Sequence, residues 1–454
     1  MAVGSFFILL CIEMKRFNYN ISVEEMRMRI LNLTSRYQNC SVLDSCAHHS
    51  FANTSIKHKL IAGLGVYRFI SVERNALHTL NLFLKNEENQ SFWKFGMLTY
   101  DLKNEIENLN SNHPDEINFP TLYFFIPEVV ILLNDDTLDV ECYLDARSEE
   151  KIFQQLLSLE EQEIETNNNE NHIETKLASS SDYLKTIEKI QYHLHRGDIY
   201  EMNYCLQILQ RFEINPLNVY KRLTHLSPSP FSCFARIDQH YLLCASPERF
   251  IAREGTRIFS QPMKGTSKRS PDKSVDEHLK FQLQQSEKER AENVMIVDLV
   301  RNDLSRIAKR GSVKVDELFG VYTFPRVHQM VSTISAELGV DISFAEIIKS
   351  LFPMGSMTGA PKVRAMQLIE ELENFKRGIF SGSVGYINPD GDFDFNVVIR
   401  SIIYNCETLQ ISIPVGSAIT AKSDAMQEYD ECMLKVQSML NALGLSVPST
   451  YAKQ

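Results

Sequence analysis

The chain has no Cys-x-x-Cys pair: its nine cysteines fall singly along 454 residues. Unpaired thiols in odd number suit a reducing compartment and offer no zinc site. The twelve histidines show no ligand spacing either, and adjacent His48 and His49 read as loop residues. No basic run interleaved with aromatics occurs, and the net charge is −11, which argues against a general nucleic-acid surface. Long apolar runs are also missing. Phe6 to Ile12 is apolar but falls far short of the ~20 residues that span a bilayer. With no basic flank before it and no small-residue cleavage site after it, it makes a poor signal peptide. Met14 reads as the natural start, residues 1–13 as upstream sequence, and the cytoplasm as the default address. No repeat at a fixed period shows.

What is present is an ordinary globular composition, 44% hydrophobic and 23% charged, with ample core. Residues 14–157 mix short strands and helices and carry no chemical signature; they read as scaffold with room for a regulatory surface. Within them Leu122 to Leu133, broken by Pro127, reads as a buried strand pair. Residues 158–179 are acidic and Asn-rich, with Asn167-Asn168-Asn169 at the centre. They bury too little to offset ordering entropy and read as a linker or mobile loop. Residues 180–445 hold the motifs. Ser180-Ser181-Asp182 offers N-caps for a helix that Gly197 stops. A strand over Ile199 to Ile208 follows, then a meander: Phe231 to Ile237, Tyr241 to Ala245, Arg249 to Arg253 and Arg257 to Gln261. Glu277 to Arg310 reads as mostly one long helix, and Phe344 to Leu351 and Pro361 to Glu373 as two more. A second meander runs from Gly382 to Ile419, and Gln427 to Leu443 closes the chain as a helix. Strands grouped in meanders, with grouped helices, predict an α+β fold.

Ser246 to Thr266 is the stretch with the clearest chemistry. It reads as strand, turn at Glu254-Gly255, strand. Lys264 lies between Pro262 and Gly265, where regular pairing must stop. Glu248 sits one hairpin leg away. A lysine there is a nucleophile only when neutral, which burial and nearby cations favour; the alternative is a surface lysine in a turn. Glu289 and Glu292 share one helix face, and Glu428 and Glu431 repeat the spacing on the last helix. Four carboxylates could surround a hard dication, or form solvated faces. Gly355 to Lys362 is not a Walker A loop. It has two glycines, two hydroxyls and a helix start, and reads equally as an anion site or a plain helix entry. Arg400, at the end of Asn396 to Ile399, can fork onto a substrate carboxylate or pair with Asp394. His328 reads as structural or as a proton carrier.

Taken in order, these pieces resemble the chorismate-utilising enzymes over roughly residues 180–440. The carriers are Gly197-Asp198-Ile199-Tyr200, Ser246-Pro247-Glu248-Arg249, Lys264-Gly265-Thr266, and Glu292 through Arg301-Asn302-Asp303. Gly355 to Lys362, Ser381-Gly382 through Gly385-Tyr386, Arg400, and Gly416 through Ser423 to Glu431 complete them. The resemblance implies a chorismate-binding α/β sandwich with two large antiparallel sheets, helices outside and a central cleft. It implies Mg²⁺ held by Glu292 and Glu431, with Glu289 and Glu428 in support. Lys264, Glu248 and His328 are the implied catalytic residues. Thr266, Ser356, Thr358, Gly359, Lys362, Arg400, Gly416 and Ser417 are the implied substrate contacts. Within the family, anthranilate synthases usually carry alanine where Lys264 stands, whereas aminodeoxychorismate synthases carry lysine. Isochorismate and salicylate synthases have a water-activating lysine after the tyrosine matching Tyr200; here that place is Glu201. The resemblance therefore implies component I of an aminodeoxychorismate synthase, on the route to 4-aminobenzoate and folate. It would use ammonia from a separate glutamine amidotransferase subunit, since no Cys-His-Glu glutaminase module can be read in the chain. Anthranilate synthase component I is the alternative, and an inactive chorismate-binding regulatory subunit the non-enzyme one. Phe380, Ala418 and Lys422 depart from the family pattern of tyrosine, glycine and aspartate.

Overall fold

Strands buried on both faces dominate the centre of the chain. In the computed structural model, which describes residues 14–46, 48, 50–144, 148–159, 180–324 and 327–445, Leu60–Leu64 and Val129–Leu133 are buried at every position. Such runs need cover on both sides, and the fold supplies it with two antiparallel sheets. Among the described residues the first has eleven strands. It runs from Lys15–Asn18 through Thr137–Cys142, Val129–Leu133, Leu60–Leu64, Asn39–Asp44, Phe231–Ile237, His240–Ser246, Ser401–Asn405, Gln410–Thr420 and Glu201–Arg211 to the short Gly359–Ala360. The second runs from Met263–Lys268 through Val327–Glu337, Arg257–Gln261, Arg249–Glu254, Phe393–Asn396, Ser383–Ile387, Lys94–Leu98 and Leu122–Ile126 to Arg68–Val72. Lys314–Thr323 also pairs with Val327–Glu337.

Alternation along the strands sorts the core into two layers. Val42, Phe234, Leu243 and Ile413 face outward onto helices Val23–Leu33, Ser180–Arg196, Pro216–Leu226 and Ala425–Ala442. Cys233, Ala235, Leu242 and Ile403 face inward and meet Phe95, Phe124, Ile251 and Phe395 of the second sheet. The fold is therefore α+β, two antiparallel sheets with helices outside. The eight described cysteines are all free thiols. No described helix is long and apolar enough to cross a membrane.

Four readings from sequence change. The meander over residues 231–261 is two hairpins in different sheets: the chain leaves the first sheet after Ser246 and enters the second at Arg249. Leu122–Ile126 and Val129–Leu133 are both buried strands, but they lie in different sheets and do not pair. The expected long helix is two, Lys273–Gln285 and Glu287–Ser305. Ser286 adopts an extended backbone between them, and its side chain accepts a hydrogen bond from the Glu289 N–H. The second meander is likewise divided, at residues 397–400 between Phe393–Asn396 and Ser401–Asn405, where the chain returns to the first sheet. Residues 1–13 and 160–179, on which the start and linker readings rest, lie outside the described residues.

Candidate active site

The two crossings between sheets lie side by side and position the site. The Ser246 hydroxyl donates to the Val397 carbonyl at 2.6 Å, the Val397 N–H to the Glu248 carbonyl at 3.0 Å, and the Ala245 N–H to the Arg400 carbonyl at 3.1 Å. Glu248 sits on one crossing and Arg400 on the other, where its φ of +50° marks a sharp change of direction. Both line a cavity of about 610 Å³, with Lys264, Gly265, Thr266, Ser356, Phe380 and Gly416. Helices Glu287–Ser305 and Ala425–Ala442 close it, contributing Lys288, Glu289 and Glu292 from one and Glu428, Glu431 and Lys435 from the other. The four glutamates that were separate pairs in the sequence thus share one wall.

Lys264 is buried, and its ammonium lies 2.5 Å from Glu201 Oε1. Burial pulls its pKa down, but Glu201, Glu292 and Glu248 more than reverse this, so the net shift is upward. This corrects the expectation of a neutral amine: in the ligand-free protein Lys264 is an ammonium, because the charges around it are anionic rather than cationic. Glu248 is pushed up to about 7, chiefly by burial, with the Ser356 hydroxyl (2.7 Å) and Lys264 drawing it back. A carboxyl poised there can hold a proton at neutral pH and release it. The Arg400 guanidinium makes no hydrogen bond or ion pair with a described residue; burial lowers its pKa while Glu431 opposes. Asp394, its alternative partner, is taken by Arg249 at 2.8 Å.

The carboxylate wall offers oxygen donors of the kind a dication takes. Glu292 is pushed up to about 7 by burial, against Lys264 and with Glu289 and Glu201. Its Oε1 is buried without a hydrogen-bond partner. An orphaned carboxylate oxygen among further carboxylates is a donor set suited to a hard cation. Burial would raise Glu431, but Lys435, at 2.7 Å, outweighs it and holds the carboxyl below its ordinary range. The Lys288 ammonium stands in the same space, 3.5 Å from Glu428 and 4.0 Å from Glu292. Among the described residues no three His, Cys, Asp or Glu side chains converge as a ready-made metal cluster. The donors fit by chemistry and burial, and an ammonium balances them here.

Five residues singled out from sequence do not line the cavity. His328 is fully buried, with Nε2 3.0 Å from Asp276 and Nδ1 3.0 Å from the Thr323 hydroxyl. Alternation turns it away and brings its neighbours Val327 and Gln329 to the cavity instead. Ser417 is turned away in the same manner, its hydroxyl 3.1 Å from that of Tyr183, while Gly416 and Ala418 line the cavity. The Thr358 hydroxyl returns to the Met354 and Gly355 carbonyls. Gly359 pairs with Met202 in the edge strand. Lys362 reaches back to Asp303 at 2.5 Å and the Leu351 carbonyl at 3.1 Å. The loop from Gly355 to Lys362 is therefore a built helix entry, and only Ser356 and Met357 from it face the cavity.

Other lining residues were not singled out. Asn203 sits two positions after Glu201, on the same strand face. Lys288 sits four before Glu292 on one helix, a spacing that marks a pair. Nothing short-range announces Gln329, which donates to the Gly265 carbonyl at 2.8 Å and accepts from Thr266.

A cavity beside the crossings between two antiparallel sheets, lined by a lysine buried among carboxylates and by an arginine side chain without a described partner, has the make-up of a small-molecule site. The sequence profile of the family described as chorismate binding enzyme matches residues 39–441. The chain belongs to that family. It is 31% identical over 391 residues to aminodeoxychorismate synthase component 1 of Bacillus subtilis (strain 168), covering 83% of each chain. Against aminodeoxychorismate synthase component 1 of Escherichia coli (strain K12) it is 41% identical over 261 residues, 58% of this chain and 57% of the other. Against anthranilate synthase component 1 of Aquifex aeolicus (strain VF5) the values are 30% over 387 residues, 80% and 77%. The fold matches anthranilate synthase component I from Streptococcus pneumoniae TIGR4 with a TM-score of 0.70 at 24% identity, covering 87% and 94%. It matches the menaquinone-specific isochorismate synthase from Escherichia coli with 0.72 at 15%, covering 95% of each.

Proposed function

We propose that the chain acts as component I of an aminodeoxychorismate synthase, converting chorismate and ammonia to 4-amino-4-deoxychorismate. The observation that carries this reading is Lys264: an amine inside the cavity, beside one carboxylate that can take its proton and facing another that can give one. Arg400 would receive one substrate carboxylate. The glutamate wall would hold Mg²⁺, with Glu292 and Glu431 as ligands and Glu289 and Glu428 in support. That ion would neutralise the second carboxylate and draw electron density from the ring.

Glu201 would accept a proton from the Lys264 ammonium. The freed amine forms a bond to ring C2 as both ring double bonds shift, to C1=C6 and C4=C5, and the C4–O bond breaks. Glu248 gives its proton to the departing hydroxyl, which leaves as water. Ammonia then attacks C4, both double bonds shift back, and Lys264 departs from C2 and regains its proton. Ammonia is mostly ammonium at neutral pH, so a glutamine amidotransferase subunit delivering the free base is the proposed partner. The names of the component 1 relatives support a second subunit.

Product identification tests the reading. With chorismate, Mg²⁺ and high ammonium, 4-amino-4-deoxychorismate is expected by chromatography. Direct release of anthranilate would shift the assignment to anthranilate synthase component I. No turnover would leave a binding subunit.

A further inference from the structure

Behind the cavity wall, and touching no cavity space itself, lies an ion pair that neither the motifs nor the proposed chemistry uses. Glu373 ends helix Lys362–Leu372, and Arg377 follows four residues on; their side chains are each 1% exposed. All five guanidinium N–H groups are committed. Nε and one Nη2 hydrogen go to Glu373 at 2.9 and 2.5 Å. The others go to the Met357 carbonyl at 2.7 Å, the Asn203 carbonyl at 2.9 Å and the Ser381 hydroxyl at 3.3 Å. Glu373 Oε1 also accepts the Cys205 N–H at 2.9 Å, and the guanidinium stacks 4.7 Å above the Tyr100 ring. Asn203 and Met357 both line the cavity. The Asn203 amide donates to the Ser356 carbonyl at 3.2 Å, and the Ser356 hydroxyl donates to Glu248 at 2.7 Å.

A buried pair costs desolvation that its attraction barely returns. This one directs most of its remaining bonds onto the backbone of one strand of the site, Glu201–Arg211, and of the 3-10 turn Gly355–Met357 beside it. We propose that the Glu373–Arg377 pair is a positioning element: it fixes the Asn203 and Met357 backbones and, through Ser356, the direction of the Glu248 carboxyl. Glu201 precedes Asn203 by two on the same strand face, so the same anchor sets the base beside Lys264. The reaction served rests on the function proposed above; the anchoring does not.

The groups facing Glu248 are Ser356, Lys264 and the Met263 backbone. The Ser356 bond favours the ionised carboxylate, so loosening it raises the pH at which Glu248 loses its proton. Arg377→Lys in the full chain, which cannot hold both carbonyls, is expected to lower kcat roughly tenfold or more with KM little changed. The alkaline limb of its pH–rate profile should move up, as in Ser356→Ala, and the double variant should move it no further. Glu373→Gln sets an amide NH2 against one of the N–H donors that Glu373 now accepts and should move the limb in the same direction. Should Arg377→Lys not fold, Glu373→Asp, which draws the guanidinium back by one methylene, carries the same limb shift. A limb at the wild-type pH in a folded variant overturns the proposal. Labelling of Lys264 by acetic anhydride against pH, read by mass spectrometry, needs no turnover. Arg377→Lys is expected to lower its midpoint as Glu201 drifts, and an unmoved midpoint also overturns the proposal. Wild-type protein inert toward chorismate, with that midpoint still shifted, would overturn only the functional reading.

Discussion

Lys264 and Glu248 were legible from sequence as a pair, but not their protonation. That depends on Glu201, 63 positions away, which no local pattern joins to them. The structure makes two expectations at this scale. Glu201→Gln removes the nearest anion from Lys264 and the base that would take its proton. Turnover is expected to fall by about 10²-fold or more, and acetylation of Lys264 should begin at lower pH. The second concerns Glu248. The folded protein holds its proton far more tightly than the unfolded chain, whose glutamates titrate near 4.3. Protonation therefore favours folding, and that stabilisation is lost as pH rises through about 7. The full penalty, with the attraction to Lys264 already included, is on the order of 3 kcal/mol. Glu248→Gln should thus unfold at higher temperature than wild type at pH 8, with the gap closing toward pH 4.5. A gap of equal size at both values would mean that Glu248 is not held protonated by the fold.

At the scale of elements, most helices and strands of residues 180–445 followed from periodicity and turn residues, and the breaks did not. The interruption at Ser286 carried a local signal: Ser286-Glu287-Lys288-Glu289 has the serine and glutamate of a capping sequence. The structure realises its serine half. The crossings after Ser246 and at residues 397–400 had no such signal, because the choice of sheet is made by distant strands. Which face a motif residue presents was legible only with the register in hand. His328 and Ser417 each stand one position from residues that reach the cavity. Gly359 shows how tightly one element constrains another. Its φ is +148°, and a Cβ there would lie 2.1 Å from the Glu201 carbonyl oxygen. Gly359→Ala must displace the strand that carries Glu201, and a loss on the order of 2 to 4 kcal/mol is expected by urea denaturation. Activity should fall more than the folded fraction does.

At the scale of the whole molecule, the division into a scaffold part and a chemistry-bearing part was read from the composition of residues 158–179. The sheets give that division a specific meaning. Residues 14–142 build one half of the first sheet and meet the other half along a single ladder, Asn39–Asp44 against Phe231–Ile237. They build one end of the second sheet and meet the rest along another, Lys94–Leu98 against Ser383–Ile387. Between these ladders the inner core is continuous, with Phe95 and Phe124 packed among Phe395 and Val384. Each part alone would expose two unpaired strand edges and the apolar faces beside them, which favours aggregation over independent folding. A cut within residues 160–179 is therefore expected to leave the two pieces associated through gel filtration, to release them together in a single urea transition, and to preserve turnover. Residues 180–445 expressed without residues 14–159 should fail to give a soluble monomer, and co-expression of the two pieces should restore it. A soluble, cooperatively unfolding 180–445 fragment would show that the two ladders join separate domains rather than the halves of one core.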